Sequence, residues 1–598
     1  MSVNNIYYID MKERFDDFQN NRINMREIHT MVYDENNVAL AVRQLSQSSG
    51  RMALGPDNTN YKTLENYSIS DLAAIVKDRL HNKKMDYVRR TYIPKPNGKT
   101  RPLGICSIWD KLVEKCIQLV LDPYCETKFV DSSFAFREQV SAHNALAKVK
   151  NQCQTMPYVL SLDLENYFGT IDPDITYREM WHIGIKDQVI LNYIYRFIKK
   201  GYYEDSCKVE DPKGAAQGSI LGPLIANIYL HRFDVWLRDQ GDHWHDESVM
   251  KFQDYRHKRE NMEKTDLKIG IHVRFADDIL VLCKDRKDAE KFKHSITKYL
   301  TRNMKLTVND EKTKIYDLLN EKMKYLGYVF YAYKQRTKNP HKKGMLMVAN
   351  VLPEEKADQI VEKCKELLGD IKNKPTLTSI HNWNVYVVDI HNYYRGMTHF
   401  YECFDKIGWR LKKRFDHTMD KRIKFIEEQS CKNNFMNGRY KTWGVEGYYC
   451  HHGCPVIQIN WANWDKGLIS AQKGKVSRIN PYDYKERNQK PGVSLEDIGY
   501  LVNTSMYIKS SRLAIFRVSK YSSSKGLSYI SGEKVPVNEY HCHHITPQEK
   551  GGTHDFNNLC VLSETEHQIL HGANPEKLFS IYPKKKKKIK YLINSLAG

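Results

Sequence analysis

Not one Cys-x-x-Cys pair occurs in this 598-residue chain, although it holds 13 cysteines. An odd, scattered set of thiols excludes a disulfide framework and a ribbon-type zinc site. Cys450 and Cys454 flank His451 and His452; with no second ligand pair nearby, a surface turn is expected there and zinc is the alternative. Long apolar runs are lacking too. The longest, around Ile220 to Leu230, is interrupted by Gly222, Pro223 and Asn227 and is too short to span a bilayer. The first residues have neither the basic nor the apolar region of a signal peptide. We therefore expect a soluble, cytoplasmic protein with no membrane partner. Acid is in deficit, with 72 Asp+Glu against 93 Lys+Arg and a net charge of +21. Spread over most segments and densest at Lys338 to Lys343, Lys412 to Arg414, Lys421 to Lys424 and Lys584 to Lys588, this excess predicts a polyanionic partner. The last run alone reads as a solvated tail. A hydrophobic content of 41% excludes wholesale disorder, and the length predicts several domains.

Against that background, residues 271–283 stand out. Asp277 and Asp278 sit between apolar stretches, as in a buried β-hairpin whose turn presents two acids. Like charges ~4 Å apart repel by about 4 kcal/mol at an effective dielectric near 20, so such a turn suits a divalent cation, Mg²⁺ above all. A solvated Asp turn is the other reading. A second acid, Asp163, closes the apolar strand Tyr158–Leu162. If the two strands are neighbours, three carboxylates meet in one place, and the chemistry they suit is two-metal phosphoryl transfer. Phe168 follows five residues on, where a ring can block a ribose 2′-hydroxyl.

Other stretches carry phosphate chemistry in outline. Around Asn97-Gly98, a two-residue hairpin signal, Lys95, Lys99 and Arg101 ride on a strand pair; an exposed basic hairpin is the alternative. From Lys213 to Leu230 a small-residue loop holding Gln217 enters an apolar helix. Helices are expected over 108–150, 187–200 and 287–300, short strands over 305–308 and 313–316, one strand over 323–330, and a charged insertion over 239–268.

Asp163, Gln217-Gly218, Phe275-Ala-Asp-Asp278 and Tyr325-Leu-Gly-Tyr328 follow the order of a reverse transcriptase palm, and together with Tyr92 to Ile105 and Gln217 to Leu230 the chain resembles the reverse transcriptases encoded by group II introns. The resemblance covers about residues 70–330. It implies that Asp163 and Asp277 are Mg²⁺ ligands, with the Leu164 carbonyl a further one and Asp278 completing the acidic pair. It also implies that Lys95 and Arg101 contact the incoming dNTP triphosphate, that Phe168 is the sugar gate, Gln217 a lid, and that Lys312 reaches the pyrophosphate. Phe275 departs from the tyrosine more usual in the family. Beyond the palm, residues 352–430 and the stretch Asn392 to Tyr401 resemble the family's helical thumb, or domain X.

Residues 531–573 resemble an HNH nuclease. His567 and His571, at i and i+4, share a helical face and with His543 can present three imidazoles to one divalent metal, whether Mg²⁺, Mn²⁺ or Zn²⁺. The resemblance makes His544 the general base and Asn558 the brace of its loop. A purely structural zinc knuckle is the alternative. The Cys-x-x-Cys pairs that many relatives carry here are missing.

The fold expected is thus multidomain α/β: a right-hand polymerase with fingers, palm and helical thumb, then a small ββα-metal nuclease. The boundaries expected are 1–90 for an extension and the start of the fingers, 91–335 for fingers and palm, 336–442 for the thumb, 443–530 for a DNA-binding region without assigned motif, and 531–598 for the nuclease and basic tail. By resemblance the protein is a reverse transcriptase, maturase and DNA endonuclease of a mobile group II intron. It binds precursor and excised lariat intron RNA, double-stranded target DNA and dNTPs, and a homodimer is left open. A splicing factor with vestigial catalysis and a free-standing bacterial defence reverse transcriptase are the alternatives.

Overall fold

In the computed structural model, the residues described are 4–94, 98, 100–204, 207–210, 218–242, 270–335, 346–427, 447–451, 454–460, 500, 501, 504, 508 and 510–597. They fall into two compact units, and the chain passes from one to the other several times. The first comprises Met1–Val130, Asn166–Arg232 and Arg478–Gly598; the second comprises Asp131–Glu165 and Phe233–Ser477.

In the first unit, β1 (Val88–Pro94) and β2 (Thr100–Ile105) form the expected antiparallel hairpin, whose last pair is Pro94 with Thr100. Residues 95–99 connect them, so the register closes outside the Asn97-Gly98 pair, and of these residues only Gly98 is described, at φ +78°. Helix Ile108–Glu126 buries the stripe Leu112, Cys116, Leu119 and Val120, as its spacing predicts.

The same unit contains a ββ-helix module. Strands Tyr540–His544 and Leu559–Ser563 pair antiparallel, and helix Glu564–Leu570 follows at once, started by a capping box between Ser563 and Glu566. Its core reaches beyond the expected limit at residue 530, since Leu501, Val518 and Tyr521 pack with Tyr540 and Val561. The lysine run is no loose tail. Helix Lys586–Ala597 buries Ile589 and Leu592 against Ile530, Leu562 and Leu570, which leaves its lysines on the outer side.

The second unit is built on a four-stranded sheet. With β3 at Tyr158–Leu162, we label the strands Gly270–Phe275, Asp278–Cys283 and Lys314–Asp317 as β4, β5 and β6; the order across the sheet is β4-β5-β3-β6. Every residue from Ile279 to Cys283 is buried, so both faces of β5 are covered and its sequence reads as an unbroken apolar run. One face packs on helix Arg286–Met304 through Phe292, Ile296 and Leu300.

Two strand expectations are corrected. Residues 305–308 form no ladder; they contribute one bridge, Val308 to Leu164. The expected single strand at 323–330 is a hairpin, β7 (Met323–Tyr325) and β8 (Tyr328–Lys334), because Leu326 and Gly327 both take left-handed backbone, at φ +43° and +74°. Three thumb helices follow, Glu354–Asn373, Leu377–Tyr394 and Phe400–Arg422. The Tyr393 hydroxyl donates to the Leu326 carbonyl at 2.8 Å, and the Tyr328 hydroxyl to the Tyr393 carbonyl at 2.5 Å. The stretch expected to mark the thumb thus clasps the β7–β8 turn. Residues 456–459, expected in a separate region, pack on the thumb instead: the Trp383 indole donates to the Ile457 carbonyl and His391 bonds the Ile459 carbonyl, both at 2.7 Å. Cys450 and Cys454 lie on short strands, their own side chains outside the described residues, as is all of His452.

Candidate active sites

The acidic site is assembled by register. β3 pairs with β5 so that Leu162 faces Ile279; one step further in the same register sets Asp163 opposite Asp278. Directly opposed residues of an antiparallel pair are about 4.5–5.5 Å apart, so acids separated by more than a hundred positions in the chain become neighbours. Asp277 occupies the β4–β5 turn next to Ala276, whose φ is +58°. Asp163 is itself clamped. Its carbonyl accepts the Asn309 amide at 2.9 Å, and the Glu165 amide donates to Thr307 at 3.0 Å. These bonds make Leu164 and Val308 a non-hydrogen-bonded pair, so the Leu164 carbonyl points away from residues 307–309.

Burial, then the nearby Asp277 and Asp163 carboxylates, push the Asp278 pKa up to about 6, and Lys312 offsets part of the rise. Lys312, expected to reach the pyrophosphate, bonds the Asp163 carboxylate through its ammonium at 2.8 Å, and that bond raises its own pKa. The acids therefore already share one cation from the protein. Among the described residues the aspartates are not a closed set of three ligand atoms.

Sequence reasoning missed what holds the turn. Arg274, fully buried on β4, forks onto Asp234 at 2.8 and 2.6 Å, donates to the Ala276 carbonyl at 3.0 Å and reaches Ser133 Oγ at 2.8 Å. A buried guanidinium bonded to the backbone between Phe275 and Asp277 fixes where the acids project. The available signal was an arginine, two residues after His272, inside a strand whose other residues are apolar or glycine.

Lys95 and Gln217 lie outside the described residues. Arg101 is exposed on β2, and Phe168 lies in the one-turn helix Tyr167–Thr170 with its ring edge-on to Tyr167 at 5.6 Å; both belong to the first unit.

The imidazole site is closed. Among the described residues, His543, His567 and His571 form the set whose ligand atoms all lie within 4.8 Å of one another. Nε2 of His543 is buried without a hydrogen-bond partner, while its Nδ1 lies 3.3 Å from His571 Nε2. An orphaned buried nitrogen costs desolvation that a metal bond would offset. Burial and neighbouring imidazoles lower the pKa of His543 to about 3 and of His567 to about 4, which keeps both neutral, the form that ligates metal.

Beside this set the His544 Nε2 lies 2.9 Å from His554 Nδ1, and burial lowers its pKa. His554, which the sequence reading did not single out, also meets the Gln548 amide at 2.9 Å. Asn558 does brace the loop: its Oδ1 accepts the Thr546 amide at 2.8 Å, and its Nδ2 donates to Thr546 and Thr553 carbonyls at 2.9 Å. Gly552 closes the same loop because a Cβ there would sit 1.9 Å from the Thr546 carbonyl.

The stretch that holds the acidic site is similar to known families and proteins. Residues 93–330 match the family model described as reverse transcriptase (RNA-dependent DNA polymerase). The chain is 28% identical over 352 residues to Protein YkfC of Escherichia coli (strain K12), an alignment covering 56% of this chain and 89% of that one. It is 29% identical over 278 residues to group II intron-encoded protein LtrA of Lactococcus lactis subsp. cremoris, covering 40% of this chain and 46% of the relative. It is 26% identical over 317 residues to the putative COX1/OXI3 intron 1 protein of Saccharomyces cerevisiae, at 48% and 37%. The chain thus spans most of the first and less than half of the other two.

Proposed function

We propose that the chain is a reverse transcriptase of the group II intron type, which copies RNA into DNA, assists the splicing of a group II intron, and nicks double-stranded DNA to prime that copying. What supports the polymerase part above all is the register that sets Asp163 opposite Asp278 beside Asp277. In this reading Asp163, Asp277 and the Leu164 carbonyl hold divalent metal, with Asp278 completing the negative field. The donors are all hard oxygens, which suits Mg²⁺. When bound, such ions activate the attacking 3′-hydroxyl and neutralise charge on the departing pyrophosphate. Lys312, which already pairs with Asp163, supplies a mobile positive charge at the same edge. Arg274 keeps the turn from drifting as the primer end arrives. Arg101, Lys95, Gln217 and Phe168 take the dNTP contacts that the family resemblance assigns.

For the nuclease, the HNH reading rests on His543, His567 and His571 as the metal set. His544 takes a proton from water, and its contact with His554 orients the ring. Asn558 holds the connecting loop. The partners are intron RNA, as precursor and lariat, and target DNA, met in the cytoplasm.

The test is primer extension on an RNA template together with nicking of a DNA duplex. Asp277→Ala should lower extension about a thousand-fold, the several kcal/mol that metal stabilisation contributes, and spare nicking. His544→Ala should do the reverse. Equal extension by the parent and Asp277→Ala refutes the polymerase, and loss of both activities in either variant refutes separate sites.

A further inference from the structure

The thumb carries a large, exposed aromatic side chain outside both candidate sites. Trp409, on helix Phe400–Arg422, is 79% exposed, more than any other large hydrophobic residue of the described structure. Buried residues Phe404, Ile407, Leu411 and Phe415 already supply the apolar stripe by which this helix packs, so Trp409 is outside the core on the opposite face. Its helical neighbours at i−3, i+3 and i+4 are Lys406, Lys412 and Lys413, all exposed. Beside the indole runs a groove of about 250 Å³ lined by Gly408, Lys412, Asp416, Gln458 and Asn460, with Asp405 also at its edge. That volume is below the ~300 Å³ at which sites for drug-sized ligands begin. Gln458 and Asn460 bring amide donors and acceptors to one wall. Lys412 is held by Asp416 at 3.0 Å, which leaves the outer lysines to face an anion.

An exposed aromatic face flanked by the ammonium groups of Lys406 and Lys413, with amides beside it, matches one ligand chemistry. We propose that Trp409 and its groove bind an unpaired nucleotide of a single-stranded nucleic acid, the base stacked on the indole, its edge on Gln458 and Asn460, and its flanking phosphates on Lys406 and Lys413. Stacking needs a π-face that neighbouring bases do not already cover, and bases within a duplex have none to offer. The inference rests on the proposed function only in expecting single strands near the thumb; the groove and its charges stand independently of catalysis.

The test uses the full chain and labelled oligomers of about 12 nucleotides, of RNA, of DNA with the same sequence, and of duplex RNA, followed by fluorescence anisotropy. Trp409→Ala should weaken the single strand roughly 5- to 150-fold, the range for loss of one base-stacking contact, and leave the duplex unchanged. Trp409→Phe should keep most of the affinity. Lys406→Gln with Lys413→Gln should lower the slope of log K against log salt by about 1.4 for a single strand. Tighter binding of the RNA than of the DNA assigns the site to RNA, and equal binding to any unpaired strand. Parental affinity in Trp409→Ala, or an equal loss in Ala and Phe variants, overturns the proposal. Primer extension by the same variants on saturating template should match the parent, so failure of the polymerase reading is scored separately.

Discussion

Replacing Asp278 by Asn should make the protein more stable and more nearly independent of pH. The Asp278 carboxyl holds its proton to about pH 6, against an ordinary value of 3.8. In the folded chain it therefore binds more protons than in the unfolded chain between those two values, and stability falls as pH rises through that window. Above pH 6 the deficit is complete; a shift of about two units corresponds to roughly 3 kcal/mol. At pH 4.5 only about a third of it has developed. Asparagine carries no charge at either pH. Asp278→Asn should thus gain up to about 3 kcal/mol at pH 8 in EDTA, a ceiling because the carboxyl is only partly enclosed, and about 1 kcal/mol at pH 4.5. For a cooperative unit of some 150–250 residues this is about 6–12 °C at the higher pH. Scanning calorimetry of both proteins at the two pH values reads it directly. Added Mg²⁺ should narrow the gap at pH 8, since a cation relieves the same repulsion. An equal difference at both pH values, or none at pH 8, would refute the assignment of burial and neighbouring acids as the cause.

Two further outcomes follow from neighbouring residues. Asp234→Ala and Arg274→Ala should each destabilise by about 3–5 kcal/mol, the cost of stranding one partner of a buried ion pair; in a urea-denaturation cycle the double variant should cost less than the sum. Lys95→Ala and Arg101→Ala should raise the apparent dNTP KM in primer extension more than they weaken RNA binding. The opposite pattern would move both residues to the RNA surface.

Much of the palm was legible because its signals are local. An apolar strand ending in Asp163, and an apolar hairpin broken by Asp277-Asp278, have the period and length of the strands observed. The ββ-helix module was legible for the same reason, with Gly551-Gly552 and the His567–His571 spacing inside a short window. Features that depend on distant partners were not. The pairing of Lys312 with Asp163, 149 positions away in sequence, has no local sign. Arg274 reads as an oddity in an apolar strand until Asp234 and Ser133 surround it. The Met323–Phe330 stretch looked like one strand because Leu326 gives no sign of left-handed backbone; the reversal depends on Gly327 and on the tyrosines of the thumb that grip it. The lysines at 584–588 resembled a tail since their apolar partners, Ile530 and Leu562, are far upstream.

The long reach of the β3–β5 pairing has a consequence for synthesis. A ribosome delivers Asp163 well before Asp278, and β6, the other neighbour of β3, emerges later still. Until about residue 283 has left the exit tunnel, β3 has bare edges on both sides, and until about residue 317 it keeps one. Such an edge invites pairing with another nascent chain. Premature termination between these points should therefore yield insoluble fragments rather than a weakened polymerase, and slow translation over that interval should lower the yield of folded protein more than slow translation after it.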